Sequence, residues 1–236
     1  TPGGANAPVD ASATPYGVTA TFTPTDAVNY NGGTATNAIT INKADAVIAV
    51  VGFTGPFDGA AHGATGTATG VTLEDLSALL TFGASFTNAP GGTATWNFAG
   101  NTNYNPATGT ATITINKADV TVSTSGGTFA YDGLAHGSTG TASVPGSFSY
   151  AYTPGGANAP VDASATPYGV TATFTPTDAV NYNGGTATST ITINKVNATI
   201  AVVGFTGPFD NATHGATGTA TGVTLEDLSG LLTLGA

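Results

Sequence analysis

The sequence predicts an all-β chain of small antiparallel β-sandwiches in tandem, and three observations carry that reading. Apolar residues alternate with Thr, Ser or Asn at period two in many short runs, the pattern of strands with one buried and one wet face. Pro-Gly, Gly-Gly and Asp-Gly pairs punctuate those runs and supply the backbone freedom that tight turns need. The chain also repeats itself at long range, the signature of an array of similar units.

The repeat sets the organisation. The segment beginning TPGGANAPVDASATPYGVTATFTPTD at Thr1 returns verbatim at Thr153, an offset of 152 residues. The segment beginning at Asn42 returns nearly unchanged at Asn194, with the same offset of 152. Three shorter markers subdivide that period. Ile-Asn-Lys occurs at Ile41, Ile115 and Ile193, and Asn-Tyr-Asn at Asn29, Asn103 and Asn181. FDGAAHGATGTA, YDGLAHGSTGTA and FDNATHGATGTA begin at Phe57, Tyr131 and Phe209. Residues 42–115 are then a complete short module and 116–193 a complete long one. Residues 1–41 are the C-terminal half of a long module, and 194–236 the N-terminal half of a short one. Segments of about 40 residues without disulfide or metal rarely fold alone. The expectation is a window of a longer array; the alternative is that neighbouring molecules complete the halves.

Strands in the short module are expected at 46–51, 64–71, 79–86, 93–98 and 110–115. The long module offers 119–124, 138–144, 147–152, 159–165, 168–174 and 186–193. In each run Val, Ile, Ala or an aromatic residue takes one face and Thr or Ser the other, and Thr suits the wet face because it is β-branched and hydroxylated. Residues 72–80 (TLEDLSALL) are the one helix candidate, with Thr72 placed to cap and Asp75 at the third position. Modules of 74–78 residues with six or seven short strands fit a small sandwich. Its core candidates are Trp96, Phe98 and Tyr104 in the short module, and Tyr150, Phe174 and Tyr182 in the long one. Trp96 and Phe174 each precede the tyrosine of Asn-Tyr-Asn by eight residues, so each is expected to plug the centre of its sandwich.

Composition excludes several functions. Of 236 residues 7% are charged, with three Lys, no Arg and a net charge of −10. Such a chain cannot neutralise a run of phosphates, which argues against nucleic-acid binding. With no Cys there is no disulfide framework, iron–sulfur cluster or thiolate zinc site. The longest apolar run, residues 46–51, falls far short of the roughly 20 residues that span a bilayer. An apolar fraction of 40% still suffices to build cores.

The motifs resemble a known group. PGSFSYAYTPGGA from Pro145, GVTATFTPTDAVNYNGGTAT from Gly169 and the terminal ITINKA from Ile39 resemble bacterial immunoglobulin-like tandem repeats. The Tyr/Phe-Asp-Gly…His-Gly blocks resemble the glycine-rich MBG and YDG-type modules of the same broad group. The resemblance implies immunoglobulin-like sandwiches in long secreted or surface-attached bacterial proteins, adhesins and extracellular fibres among them, and no catalytic residues. The expected role is a structural array forming an extracellular stalk or filament, whose partners are neighbouring modules and other fibres. An adhesin segment binding a host, surface or glycan ligand is the alternative; an enzyme is not expected.

Five residue patterns bear on chemistry. His62, His136 and His214 each follow Asp58, Asp132 or Asp210 by four residues. One His per module makes a poor zinc set, so the expected role is structural: Asp caps the turn and His bonds nearby backbone. Ca²⁺ could be drawn to Glu74, Asp75, Asp45 or Asp119, but it needs six to eight oxygens and acids are sparse; no cofactor is expected. Lys43, Lys117 and Lys195 invite Lys–Asn isopeptide bonds, with Asn103 or Asn181 as partner and Asp58 or Asp132 as the acid. That chemistry needs a buried lysine, whereas a strand end is normally solvated. The Thr-x-Thr strings suggest an ice-binding face less readily than ordinary wet strands. The sequons at Asn197 and Asn211 lie in the diverged repeat copy.

Overall fold

The computed structural model describes residues 7–235. They form two units, one ending at Lys117 and the other beginning at Ala118. The regular structure is nearly all strand.

The first unit opens with a hairpin of β1 (Tyr16–Phe22) and β2 (Gly33–Ile39). Six strands follow: β3 (Val47–Val51), β4 (Phe53–Pro56), β5 (Thr65–Thr69), β6 (Leu80–Phe82), β7 (Gly91–Phe98) and β8 (Ala107–Asn116). β3 pairs antiparallel with β5. The others form a four-stranded sheet in the order β4-β8-β7-β6, in which β4 runs parallel to β8. The second unit repeats this plan with β9 (Val122–Thr124), β10 (Gly127–Ala130), β11 (Gly140–Ala142), β12 (Gly146–Thr153), β13 (Tyr168–Pro176) and β14 (Gly185–Asn194). There β9 pairs with β11, and the larger sheet runs β10-β14-β13-β12, again with its first strand parallel to its last. A further pair, β15 (Thr199–Val203) and β16 (Thr217–Thr221), closes the unit.

β4 and β10 have no counterpart among the expected strands. Each arises because the chain leaves the small sheet and crosses to the edge of the larger one. A glycine marks each crossing. A Cβ on Gly52 would lie 1.8 Å from the carbonyl oxygen of Thr112, and one on Gly126 would lie 2.2 Å from that of Thr190. Only a residue without a side chain lets the backbones approach so closely. Within the two strands, Phe and Gly exchange places. Phe53 faces Ile113 and Gly55 faces Ile115 in one module; Gly127 faces Ile191 and Phe129 faces Ile193 in the other. Each ring lies over its glycine, so one aromatic fills the space from either position.

In the short module the core draws on both sheets; in the long module the buried cluster lies on the larger sheet, against Ala159 and Ala163. In the short module Ala68, Leu80, Phe98 and Tyr104 form one buried cluster, and Ala64, Ala94, Ile113 and Ile115 another. In the long module Tyr152, Val170, Ile191 and Ile193 are buried together, with Tyr150 half-buried against them. Phe174 is buried, tilted against Phe148 at 5.0 Å between ring centroids. Tyr182 is half-buried. The opposite face of each large sheet is neutral and hydroxylated: Thr93 pairs with Thr112, Thr95 with Thr110, Thr171 with Thr188 and Thr173 with Thr186.

Three expectations need correction. Trp96 is half-buried and is not the counterpart of Phe174. Phe98 sits across from Ala107 where Phe174 sits across from Gly185, and Ala107 and Gly185 are equivalent when the two Ile-Asn-Lys ends are aligned. The hairpin loop is two residues shorter in the short module, and an even shift keeps both aromatics on one face. Residues 72–80 do not form a helix. Leu73 adopts a φ of 65°, Glu74 accepts from both the backbone and hydroxyl of Thr72, and only Ser77–Leu79 makes a 3₁₀ turn. Residues 159–165 are irregular, with bends at Asp162 and Ala165, rather than a strand. Pro160 and Pro167 withhold donors there, and the segment is tied instead by the Ser164 N–H donating to the Ile193 carbonyl and the Tyr168 hydroxyl to the Asp162 carbonyl.

Candidate functional site

The Asn-Tyr-Asn turn gathers the polar side chains at each module's start. In the short module the Ala44 N–H donates to the Asn103 carbonyl at 2.8 Å, and the Asn105 N–H to the Ala44 carbonyl at 2.9 Å. The Asn105 carboxamide adds a 2.8 Å bond to Asp45. The long module repeats all three through Ala118, Asn181, Asn183 and Asp119. Each module is thus clipped at its first residues to its own last hairpin.

At the junction before the short module the same turn also reaches outward. The Asn103 carboxamide donates to Asp10 at 2.9 Å and accepts from the Ala11 N–H at 2.7 Å. The Lys43 ammonium donates to the Asn101 carbonyl at 2.6 Å. Asp10 and Ala11 belong to the preceding hairpin segment, so side chains from both sides of the junction close on one another. Asn101 frees Asn103 for this contact, because its own side-chain oxygen accepts the N–H groups of Asn103 and Tyr104.

Tyr104 is the buried centre of this junction. Its hydroxyl accepts from the Val71 N–H at 2.8 Å and donates to the Glu74 carboxylate. Thr72 first, and Tyr104 second, hold the Glu74 carboxyl down at about 2. Glu74 in turn pushes the Tyr104 phenol up. A cleft of about 350 Å³ borders the site, between Val9 and Ala11 on one side and Val71, Glu74 and Tyr104 on the other. The seat recurs in the second unit. Glu226 accepts from the Thr224 hydroxyl, the Gly222 N–H donates to the Glu226 carbonyl, and Leu225 repeats the φ of 65°. Thr224 leads the causes that lower the Glu226 carboxyl.

The sequence-selected groups fall elsewhere. His62, His136 and His214 each place Nε2 within 2.7–3.1 Å of Asp58, Asp132 or Asp210. Each imidazole also stacks on a phenylalanine, Phe53, Phe129 or Phe205, at 3.6–4.1 Å between centroids. Each imidazole therefore bonds the turn carboxylate itself, and the three clips are far apart in sequence. Lys43, Lys117 and Lys195 are exposed, which does not meet the burial that an isopeptide bond requires. The Asn103 carboxamide is engaged by Asp10 and Ala11 rather than by a lysine. Asp45 bonds Asn105, Asp119 bonds Asn183, and Asp75 accepts from the Ser77 N–H. Among the described residues no group of three or more His, Cys, Asp or Glu side chains is placed to hold a metal ion. No helix among them is long and apolar enough to cross a membrane.

Sequence reasoning did not single out Asn101, Asp10 or Ala11. A signal was present: the short module reads Asn-Thr-Asn-Tyr-Asn where the long one reads Asp-Ala-Val-Asn-Tyr-Asn, so the residue capping the turn differs. No family model, curated protein or solved structure matches the chain.

Proposed function

We propose that this chain is a non-catalytic structural array, the repeating body of an extracellular stalk or filament of a large bacterial surface or secreted protein. The single observation that carries the reading is the junction clamp of Asn103 on Asp10 and Ala11. A junction held by side chains from both sides resists bending, unlike a flexible linker. The near-verbatim period of 152 residues repeats that junction at every second module, and arrays of this kind are stabilised by nearest-neighbour contacts.

The finer fold reading is immunoglobulin-like. A first strand that pairs antiparallel in one sheet, then continues parallel to the last strand of the other, follows the strand-switching plan of such sandwiches. The nearly charge-free, hydroxyl-rich surface suits a structural element outside the cell that self-associates, since almost no Lys guards its edge strands. Electron microscopy of the native particle tests the role. A continuous rod or fibre with a two-module axial repeat is expected; discrete globular particles overturn it.

A further inference from the structure

We propose that Asn183 is a self-modifying site: with Gly184 it deamidates, and the carboxylate so formed faces Asp119 and opens the clip that holds the start of the long module. The inference does not rest on the stalk reading.

The first observation is the residue pair. Asn is thermolabile, and most so before glycine, whose backbone nitrogen no Cβ shields from the side-chain carbonyl carbon. Asn-Gly occurs twice in the chain, at Asn31–Gly32 and Asn183–Gly184, the same place of the long module 152 residues apart. The short module has Asn105–Pro106 at that place. Proline carries no N–H, so its nitrogen cannot close the same ring. The two modules therefore make one clip, Asn105 to Asp45 and Asn183 to Asp119, from an inert pair in one case and a labile pair in the other.

The second observation is access. Asn183 and Gly184 are both exposed. Gly184 lies just before β14, and among the described residues its N–H donates to no backbone carbonyl. The fold also keeps the glycine in place: a Cβ on Gly184 would stand 2.9 Å from the Phe174 carbonyl oxygen, too close for an ordinary side chain.

The third observation is what faces the carboxamide. Its nitrogen donates to the Asp119 carboxylate at 2.7 Å. The Gly184 nitrogen attacks Cγ of Asn183, the bond from Cγ to the amide nitrogen breaks, and ammonia leaves with the proton of the Gly184 N–H. Water then opens the cyclic imide at either carbonyl, giving aspartate or isoaspartate, and nothing is oxidised or reduced. Either product replaces a donor by a carboxylate beside the carboxylate that had accepted from it, and like charges in one site repel. Isoaspartate also adds one carbon to the main chain just before β14. The bonds loosened belong to the same clip: the Ala118 N–H to the Asn181 carbonyl at 2.8 Å, and the Asn183 N–H to the Ala118 carbonyl at 2.9 Å.

Peptide mass mapping of the whole chain, aged in warm, mildly alkaline buffer, tests the chemistry. Expected are the mass gain of an –NH₂ to –OH exchange in the peptide holding Asn183, none in the peptide holding Asn105, and a new gain at Asn105 in a Pro106→Gly variant. Hydrogen exchange of the Ala118 and Asn183 amides tests the consequence. Asn183→Asp should speed both about two- to fivefold, the scale of an exposed charge pair. Adding Asp119→Asn should restore protection, because donor and acceptor then trade places. No gain at Asn183, or an equal gain at Asn105 in the unaltered chain, overturns the proposal. So does an Asn183→Asp chain whose two amides exchange at the unaltered rate, and so does a double variant no better protected than the single one.

Discussion

Asn103 and Asn181 occupy the same place in the same motif and do different work. In the long module Asp178 stands three residues earlier; its carboxylate accepts the N–H groups of Val180 and Asn181 and also the Asn181 carboxamide at 2.8 Å. Asn181 is buried and faces inward. Asp26 holds Asn29 in the same way. In the short module Asn101 makes the turn with one oxygen and leaves the next asparagine free to reach Asp10 and Ala11. A single choice of capping residue decides whether a turn braces its own module or grips the one before it. The two turns also close hairpins of different length, which moves the aromatic core residue from Phe174 to Phe98.

The largest test of that comparison is in the core. Phe98→Ala and Phe174→Ala should each cost about 3–5 kcal/mol, the range for a fully buried aromatic. Trp96→Ala should cost less, about 1–2 kcal/mol, because the indole is only half-buried. Hydrogen-exchange mass spectrometry of the β7–β8 and β13–β14 peptides reads each module separately. Equal losses at Trp96 and Phe98 would break the equivalence of Phe98 with Phe174.

Next in size is the exchange of Phe and Gly between β4 and β10. Phe53→Gly empties the place over Gly55, and Gly55→Phe forces a second ring onto Phe53, whose Cζ lies 2.6 Å from a Cβ built there. Each single change should destabilise the short module. The double change converts its pattern to that of the long module and should recover about 1–3 kcal/mol relative to the sum, within the range for directly contacting pairs. A strictly additive cycle would show that the two strands are not interchangeable frames.

The two asparagines come third. Asn181→Ala should destabilise the long module by about 1–3 kcal/mol, since it strips a buried partner from Asp178. Asn103→Ala should leave the short module within about 0.5 kcal/mol, yet speed amide exchange at Ala11, whose N–H loses its acceptor. A large stability loss with unchanged exchange at Ala11 would make Asn103 an ordinary turn residue.

Much of the strand plan was legible in the sequence, because Thr/apolar alternation specifies both a strand and its buried face; the runs now seen as β7, β8, β13 and β14 carry it most clearly. β4 and β10 escaped because four-residue strands with Gly, Pro or a lone Phe show no alternation, and a parallel edge is fixed by a crossing that only Gly52 and Gly126 permit. The exchange of Trp96 for Phe98 escaped because counting back from a tyrosine assumes equal loops. The helix at 72–80 had a plausible cap, but Glu74 binds the Thr72 hydroxyl and backbone before a helix can use either. The junction clamp was hidden for a simpler reason: Asp10 and Asn103 are distant in sequence, and a lone Asn–Asp contact has no pattern.

The smallest expected effect separates the two carboxylate seats by pH. Glu74 is held at about 2, below its usual value of roughly 4.3. A carboxyl depressed by folding contributes stability above its unfolded pKa, and that contribution is lost as pH falls from about 4.3 toward about 2. The short module should therefore lose stability across that acid window, read by Trp96 fluorescence during denaturation at each pH. Asp58 and Asp75 are also lowered, so the variants, not the profile alone, isolate Glu74. Because the Thr72 hydroxyl is the leading cause and Tyr104 the second, Thr72→Val should flatten the acid slope more than Tyr104→Phe. The Glu226 seat, with Thr224 as its leading cause and no tyrosine hydroxyl upon it, should respond to Thr224→Val in the same direction, and exchange of the Gly222 and Leu225 amides reads it locally. If Tyr104→Phe alone abolished the short module's slope, the tyrosine rather than the threonine would hold the charge. The two seats would then differ in kind.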